Sequence, residues 1–263
     1  MRVLLTNDDG IRAPGLKALV DLRPPDVELW VMAPDRERSA TGHAITVHKP
    51  LFVDAVDMGQ DVRAFQVNGT PSDCVKLGME LFGERPDVVI SGINRGPNLG
   101  TDVMYSGTVS GAIEAAVGGV PALAVSLDSH SAWAPQDYRV ASQIAWYVAR
   151  KLDEHGLPAG TLLNVNVPAG SEIRGFMVTR LGIRRYRDVL HRRVDPRGRV
   201  YYWMAGEAED VDVDDATDAG AVRSGYVSIT PMEFDLTKHA AVETVRSWGL
   251  DLPDLRAPGG ERA

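Results

Sequence analysis

With 263 residues, 44% of them hydrophobic and 24% charged, the chain can build one large globular domain, or one domain with an appendage. A formal net charge of −8 excludes nucleic-acid binding by the surface at large and leaves only a local basic patch open. The single cysteine, Cys74, excludes an intramolecular disulfide and a thiolate zinc centre.

The predicted elements alternate strand and helix. A strand over Arg2–Thr6 stops at Asn7-Asp8-Asp9-Gly10. A helix follows from Pro14, with proline in its first turn. Val27–Ala33 is a second strand, and Leu51–Val56 with Arg63–Val67 suits a hairpin. A helix over Ser72–Phe82 takes Thr70 or Ser72 as its cap. Asp87–Ser91 is a strongly apolar strand, Gly107–Val117 a helix, Ala122–Ser126 a strand, Asp137–Leu152 an amphipathic helix and Leu162–Val167 a strand. Near-continuous apolar strands between helices imply an α/β fold, with a mostly parallel sheet and helices on both faces.

Beyond residue 170 the character changes. Val178–Arg187 and Arg199–Met204 suit strands of a more exposed antiparallel piece. Residues 174–199 hold nine arginines against Asp188 and Asp195, and an acidic run from Glu207 to Asp218 follows. The arginines either meet a polyanionic substrate or form a solvated or subunit-contacting arm balanced by the acids, and charge blocks favour the second. The acidic run lacks EF-hand spacing and is expected as a loop. The Pro- and Gly-rich tail after Leu252 is expected to fray. The domain boundary is placed between a catalytic core, 1–170, and an arm with a returning strand and C-terminal segment, 171–263.

In parallel sheets, ligands bind at the C-terminal strand ends. Asp8 and Asp9 sit at such an end. They form either a solvated turn or the carboxylates of a hard-cation site. Ser39, after the second strand, and Asn94, after the Asp87–Ser91 strand, offer neutral oxygens to complete a shell for Mg²⁺ or Mn²⁺. Ser106-Gly107-Thr108 opens a helix, where free N–H groups and the helix dipole attract anions. The hydroxyls and the Asn98 amide would add donors. Each loop taken alone also fits a plain cap or turn. His43 suits either a proton donor or a structural hydrogen bond. No G-x-G-x-x-G follows the first strand, and no P-loop, H-E-x-x-H or G-x-S-x-G motif occurs.

These residues also carry a resemblance. Leu4–Ile11, Ala33-Pro34-Asp35, Gly69–Val75, Ser91–Gly100, Tyr105–Val109, Pro121–Ser126, Asn164–Pro168, Asp195–Gly198 and Gly225–Pro231 follow one another as in the SurE family of stationary-phase survival proteins, metal-dependent 5′/3′-nucleotidases. The chain resembles that family over nearly its whole length. The resemblance implies a Rossmann-like core with a C-terminal hairpin and extension exchanged between subunits of a homodimer or homotetramer. It implies one divalent cation held by Asp8, Asp9, Ser39 and Asn94, with Asp8 and Asp9 positioning or activating water. It implies phosphate held by Asn98, Ser106, Gly107 and Thr108, and nucleoside monophosphates as substrates. Polyphosphate hydrolysis and non-catalytic nucleotide sensing are the alternatives. Stable nucleic-acid binding and membrane association are not expected; no signal-peptide pattern is visible, and with one cysteine a reducing cytoplasm is the expected compartment. Many relatives carry Arg-Ser-Gly-x-Ser after the second strand. Here Arg38-Ser39-Ala40-Thr41-Gly42-His43 keeps only the first serine.

Overall fold

The computed structural model describes residues 1–250 except 171, 188, 189, 205 and 213, so the tail after Leu252 lies outside the described residues. Its centre is a nine-stranded sheet with the order β3-β4-β2-β1-β5-β6-β7-β13-β8. These strands are β1 (Arg2–Thr6), β2 (Glu28–Pro34), β3 (Val53–Ala55), β4 (Val62–Val67), β5 (Val88–Arg95), β6 (Ala122–Asp128), β7 (Thr161–Pro168), β8 (Phe176–Val178) and β13 (Val227–Glu233). The six strands from β4 to β7 run parallel, as the unbroken apolar runs predict. β3 pairs antiparallel with β4, so the expected hairpin is present. β13 returns antiparallel beside β7 and carries β8 on its outer side.

From β1 the chain steps one way to β2 and β4, then crosses to β5 on the other side of β1. The crevice between the ends of β1 and β5 is therefore the topological switch point, where open α/β sheets take their ligands.

Helices cover both faces. Val3 and Leu5 point to one face, under α1 (Pro14–Asp21) and α4 (Arg139–His155), with Leu16, Leu19, Ala145 and Trp146 in that core. Leu4 points to the other, under α2 (Pro71–Leu81) and α3 (Gly107–Val117), with Val75, Val109 and Ala112. The period of two along β1 feeds both cores at once. α2 begins with a capping box in which the Thr70 hydroxyl accepts from the Asp73 N–H and the Asp73 carboxylate accepts from the Thr70 N–H. Among the described residues, no helix is long and apolar enough to cross a membrane.

The arm departs from expectation in two ways. The single strand expected over Val178–Arg187 is broken, because residues 179–183 leave the sheet to meet the α5 helix (Asp218–Arg223). There Asp218 Oδ1 accepts from the Gly182 N–H at 2.9 Å. The acidic run is not all loop. β9 (Arg184–Arg187) pairs with β12 (Glu207–Asp210), and β10 (Leu190–Val194) pairs with β11 (Val200–Met204). The two pairs are separate two-stranded antiparallel sheets, and the first, β9–β12, is a charged ribbon. Opposite charges across it stabilise the pairing: Arg187 binds Glu209, and Arg184 binds Asp210 at 2.8 Å. A final helix, α6 (His239–Arg246), has no buried residue.

Candidate active site

Asn7 shapes the end of β1. Its side chain donates to the Gly10 carbonyl at 2.9 Å and accepts from the Gly10 N–H at 3.2 Å. Gly10 has φ of +99°, and a Cβ there would lie 3.0 Å from the Arg36 backbone. The turn therefore requires glycine. It delivers Asp8 into a buried position and Asp9 into a half-buried one.

Asp8 is poorly hydrated for a carboxylate. Burial pushes its pKa up to about 6 and the neighbouring Asp9 adds to the rise, against the pull of a hydrogen bond from the Thr108 hydroxyl. That bond, Thr108 Oγ1 to Asp8 Oδ1, is 2.5 Å long. Burial also raises Asp9, opposed by the Arg95 N–H that donates to its Oδ2 at 3.2 Å. Both carboxylates line a cleft of about 890 Å³ together with Ser39, Asn94, Asn98 and Ser106. Among the described residues, no three His, Cys, Asp or Glu side chains gather at a metal-binding spacing. A cation here would rest on two carboxylates and neutral oxygens, the donor set of a hard divalent ion that keeps several waters.

β5 runs past Ser91 to Arg95, so Asn94 lies within the strand's last turn of pleat, its amide donating to the Gly96 carbonyl at 2.8 Å. Ser39 sits on the exposed loop after β2 and donates to Glu37 Oε1 at 2.7 Å. Ser106 caps α3 by accepting from the Val109 N–H at 3.0 Å. Gly107 lies against Asp8, where an added Cβ would come within 2.7 Å of the Asp8 Cβ. Gly107 and Thr108 thus stand behind Asp8 rather than on the open wall of the cleft. His43 lies outside the cleft lining. Its Nε2 is 2.8 Å from Oε2 of Glu114, a buried carboxylate, so that nitrogen makes a structural contact.

The asparagines of β7 hold the Asn98 backbone in place, a role that the sequence reading did not give them. Asn98 N–H donates to Asn166 Oδ1 at 2.8 Å, and its carbonyl accepts from Asn164 and Asn166 at 2.9 and 3.0 Å. Its side chain donates to Ser126 Oγ at 2.8 Å. The signal was present: two amides at alternate positions of an apolar strand must find buried partners. On the far wall, Tyr186 from β9 faces the cleft and donates to Asp102 at 2.9 Å. Burial and that carboxylate push the phenol up to about 12, so it stays neutral. Much of the arginine cluster is spoken for. Arg180 pairs with Asp212 and Asp214, and Arg184, Arg187 and Arg199 pair with Asp210, Glu209 and Asp195.

Comparison with known proteins identifies the family and the fold. The family model described as "Survival protein SurE" matches residues 3–188. A protein of Heliobacterium modesticaldum named 5′-nucleotidase SurE is 52% identical over 252 residues, covering 94% of this chain and 92% of its own. The 5′-nucleotidase SurE of Carboxydothermus hydrogenoformans is 49% identical, covering 98% of this chain and 100% of its own. The crystal structure of the SurE protein from Aquifex aeolicus superimposes with a TM-score of 0.80 at 39% identity, covering 95% of this chain and all of that one. The chain belongs to the SurE family.

Proposed function

We propose that the protein is a metal-dependent phosphomonoesterase that hydrolyses nucleoside 5′- and 3′-monophosphates to nucleoside and phosphate. The observation that carries this reading is the Thr108–Asp8 hydrogen bond. It joins a desolvated carboxylate pair to the N-terminal turn of α3, so a cation and an anion would be held side by side. Asp8, Asp9, Ser39 and Asn94 would hold one divalent cation, Mg²⁺ or Mn²⁺. Their all-oxygen donor set and the unmet charge of the Asp8–Asp9 pair fit such an ion. When bound, it supplies Lewis-acid polarisation of the phosphoryl group and a more acidic water.

The chain's own groups do the rest. The Ser106 hydroxyl, the N–H groups at the start of α3 and the Asn98 amide bind the phosphoryl oxygens and the charge that grows on them. Asp8 and Asp9 orient the attacking water, and a carboxylate oxygen takes its proton. The water oxygen bonds to phosphorus as the ester P–O bond breaks, and the proton leaves with the nucleoside hydroxyl. Tyr105 and Tyr186, both at the cleft wall, offer faces against which a nucleoside can lie. We read residues 171–263 as an arm for homo-oligomer assembly, and the lone cysteine suits a reducing cytoplasm.

The decisive experiment follows hydrolysis of AMP and of p-nitrophenyl phosphate with and without EDTA. Turnover that stops in EDTA and returns with Mn²⁺ or Mg²⁺ is expected. Undiminished turnover in EDTA, or nucleotide binding without turnover at any metal concentration, overturns the reading.

A further inference from the structure

We propose that His43 is a positioning residue. Its imidazole, bonded to the buried Glu114 carboxylate, fastens the loop after β2 to α3 and so sets Ser39 against Asp8 and Asp9. The inference rests on the reading of Asp8, Asp9, Ser39 and Asn94 as a cation site, and it adds residues that touch neither cation nor substrate.

Ser39 needs such help. It lies in an irregular, largely exposed segment, and Ala40 and Gly42 both have φ of +56°. A non-glycine residue in that region persists only where its surroundings hold it. Ahead of Ser39, the Arg38 N–H donates to the Asp8 carbonyl at 2.7 Å, which ties the loop to the end of β1. Behind it, the Gly42 N–H reaches the Tyr105 carbonyl at a longer 3.2 Å. Thr70 donates to the Ala44 carbonyl at 2.7 Å further on. Between these backbone contacts, His43 is the loop's side-chain tie to α3.

Its partner is well placed for the task. The Glu114 side chain is 6% exposed, with His43 on one oxygen at 2.8 Å and Lys76 Nζ on the other at 3.0 Å. A carboxylate so buried needs both donors. Glu114 sits two turns along α3 from Gly107, about 10 Å up the axis. One helix therefore holds Asp8 through Thr108 at its first turn and the Ser39 loop through Glu114 at its third. Groups that orient a ligand without touching the metal typically change metal affinity by about 10- to 100-fold when removed.

Binding of MnCl₂ measured by calorimetry, alongside turnover of AMP, tests this on the full chain. His43→Ala is expected to weaken Mn²⁺ binding about tenfold. At saturating Mn²⁺ its kcat should stay within about twofold of wild type, and the shape of its pH–rate profile should not change, as for a group that orients a ligand without moving a proton. His43→Gln, whose amide can donate to Glu114 in place of Nε2, should recover most of the affinity. Wild-type Mn²⁺ affinity in His43→Ala overturns the proposal. So does a kcat loss that persists at saturating Mn²⁺ with one limb of the pH profile gone, which would make His43 an acid. A wild-type protein that binds no Mn²⁺ overturns the cation site and this inference together, whereas an unchanged His43→Ala overturns this inference alone.

Discussion

Asp8 is held in a position where its ionised form costs free energy. Its pKa of about 6 in the folded chain exceeds the usual 3.8 of an unfolded aspartate. Burial is the main cause, so the ionised form destabilises the fold. The penalty is absent below about pH 4, grows between about 4 and 6, and is complete above. Metal-free protein should therefore lose stability across that window. Asp8→Asn keeps an oxygen for Thr108 but carries no charge. In EDTA at pH 7 it should be more stable than wild type by about 2–3 kcal/mol, a gap that closes towards pH 4. Thermal melts across pH in EDTA measure this directly. With saturating Mn²⁺ the same variant should lose about 100-fold or more in kcat, because it weakens a proposed metal ligand and a proposed proton acceptor together. That Asp8, Asp9, Ser39, Asn94, Asn98 and Ser106 share one cleft was legible because the pattern is local: the first five stand in or after a strand on the ligand-binding rim, and Ser106 opens a helix. Asn164 and Asn166 were not, since within β7 they read only as strand. The role of His43 depends on Glu114, 71 residues away, and no spacing in the sequence reports that contact.

At the scale of elements, α3 carries the site. Its first turn touches Asp8, its cap faces the cleft and its third turn anchors the β2 loop. Gly107 makes the closest approach. A methyl group there would meet the Asp8 Cβ at 2.7 Å and its Oδ2 at 2.9 Å, well inside contact distance. Gly107→Ala should force α3 and the β1 end apart, at a cost of about 1–3 kcal/mol. It should raise KM for AMP and lower kcat together, because both the anion turn and a proposed metal ligand move. Steady-state kinetics with a melting curve separate this from simple unfolding, and wild-type kinetics would show that the contact is slack. Apolar periodicity made the parallel sheet and its flanking helices readable before any coordinates. It missed β10 and β12, and the pairing of β12 with β9 rests on opposite charges across the ribbon rather than on a buried face, so Glu207–Asp210 read as loop.

For the whole molecule, the β10–β11 ribbon poses the remaining question. β11 places Tyr201 and Trp203 on one face and Tyr202 and Met204 on the other, and all four are exposed within a single chain, Trp203 at 64% and Met204 at 79%. β10 adds exposed Leu190 and Val194. A strand that covers its own core buries one face, and this ribbon buries neither. A lone two-stranded ribbon is marginal in water, and an apolar patch of this kind marks a contact surface. α6, likewise without a buried residue, presents Val242 and Val245 to solvent, and Trp248 just after it is exposed as well. A second copy of the chain is the partner we propose for these surfaces. Trp203→Glu places a charge in the middle of the ribbon, where burial in an interface would be strongly unfavourable. Light scattering on the eluting protein should then show a mass shift from an oligomer towards a single chain. Because Met204 and Gly206 line the cleft, the freed ribbon should also raise KM for AMP while leaving the Mn²⁺ affinity of the strand-end residues nearly unchanged. A wild-type mass of one chain, or an unshifted mass in Trp203→Glu, would mean that this ribbon is not what joins the copies.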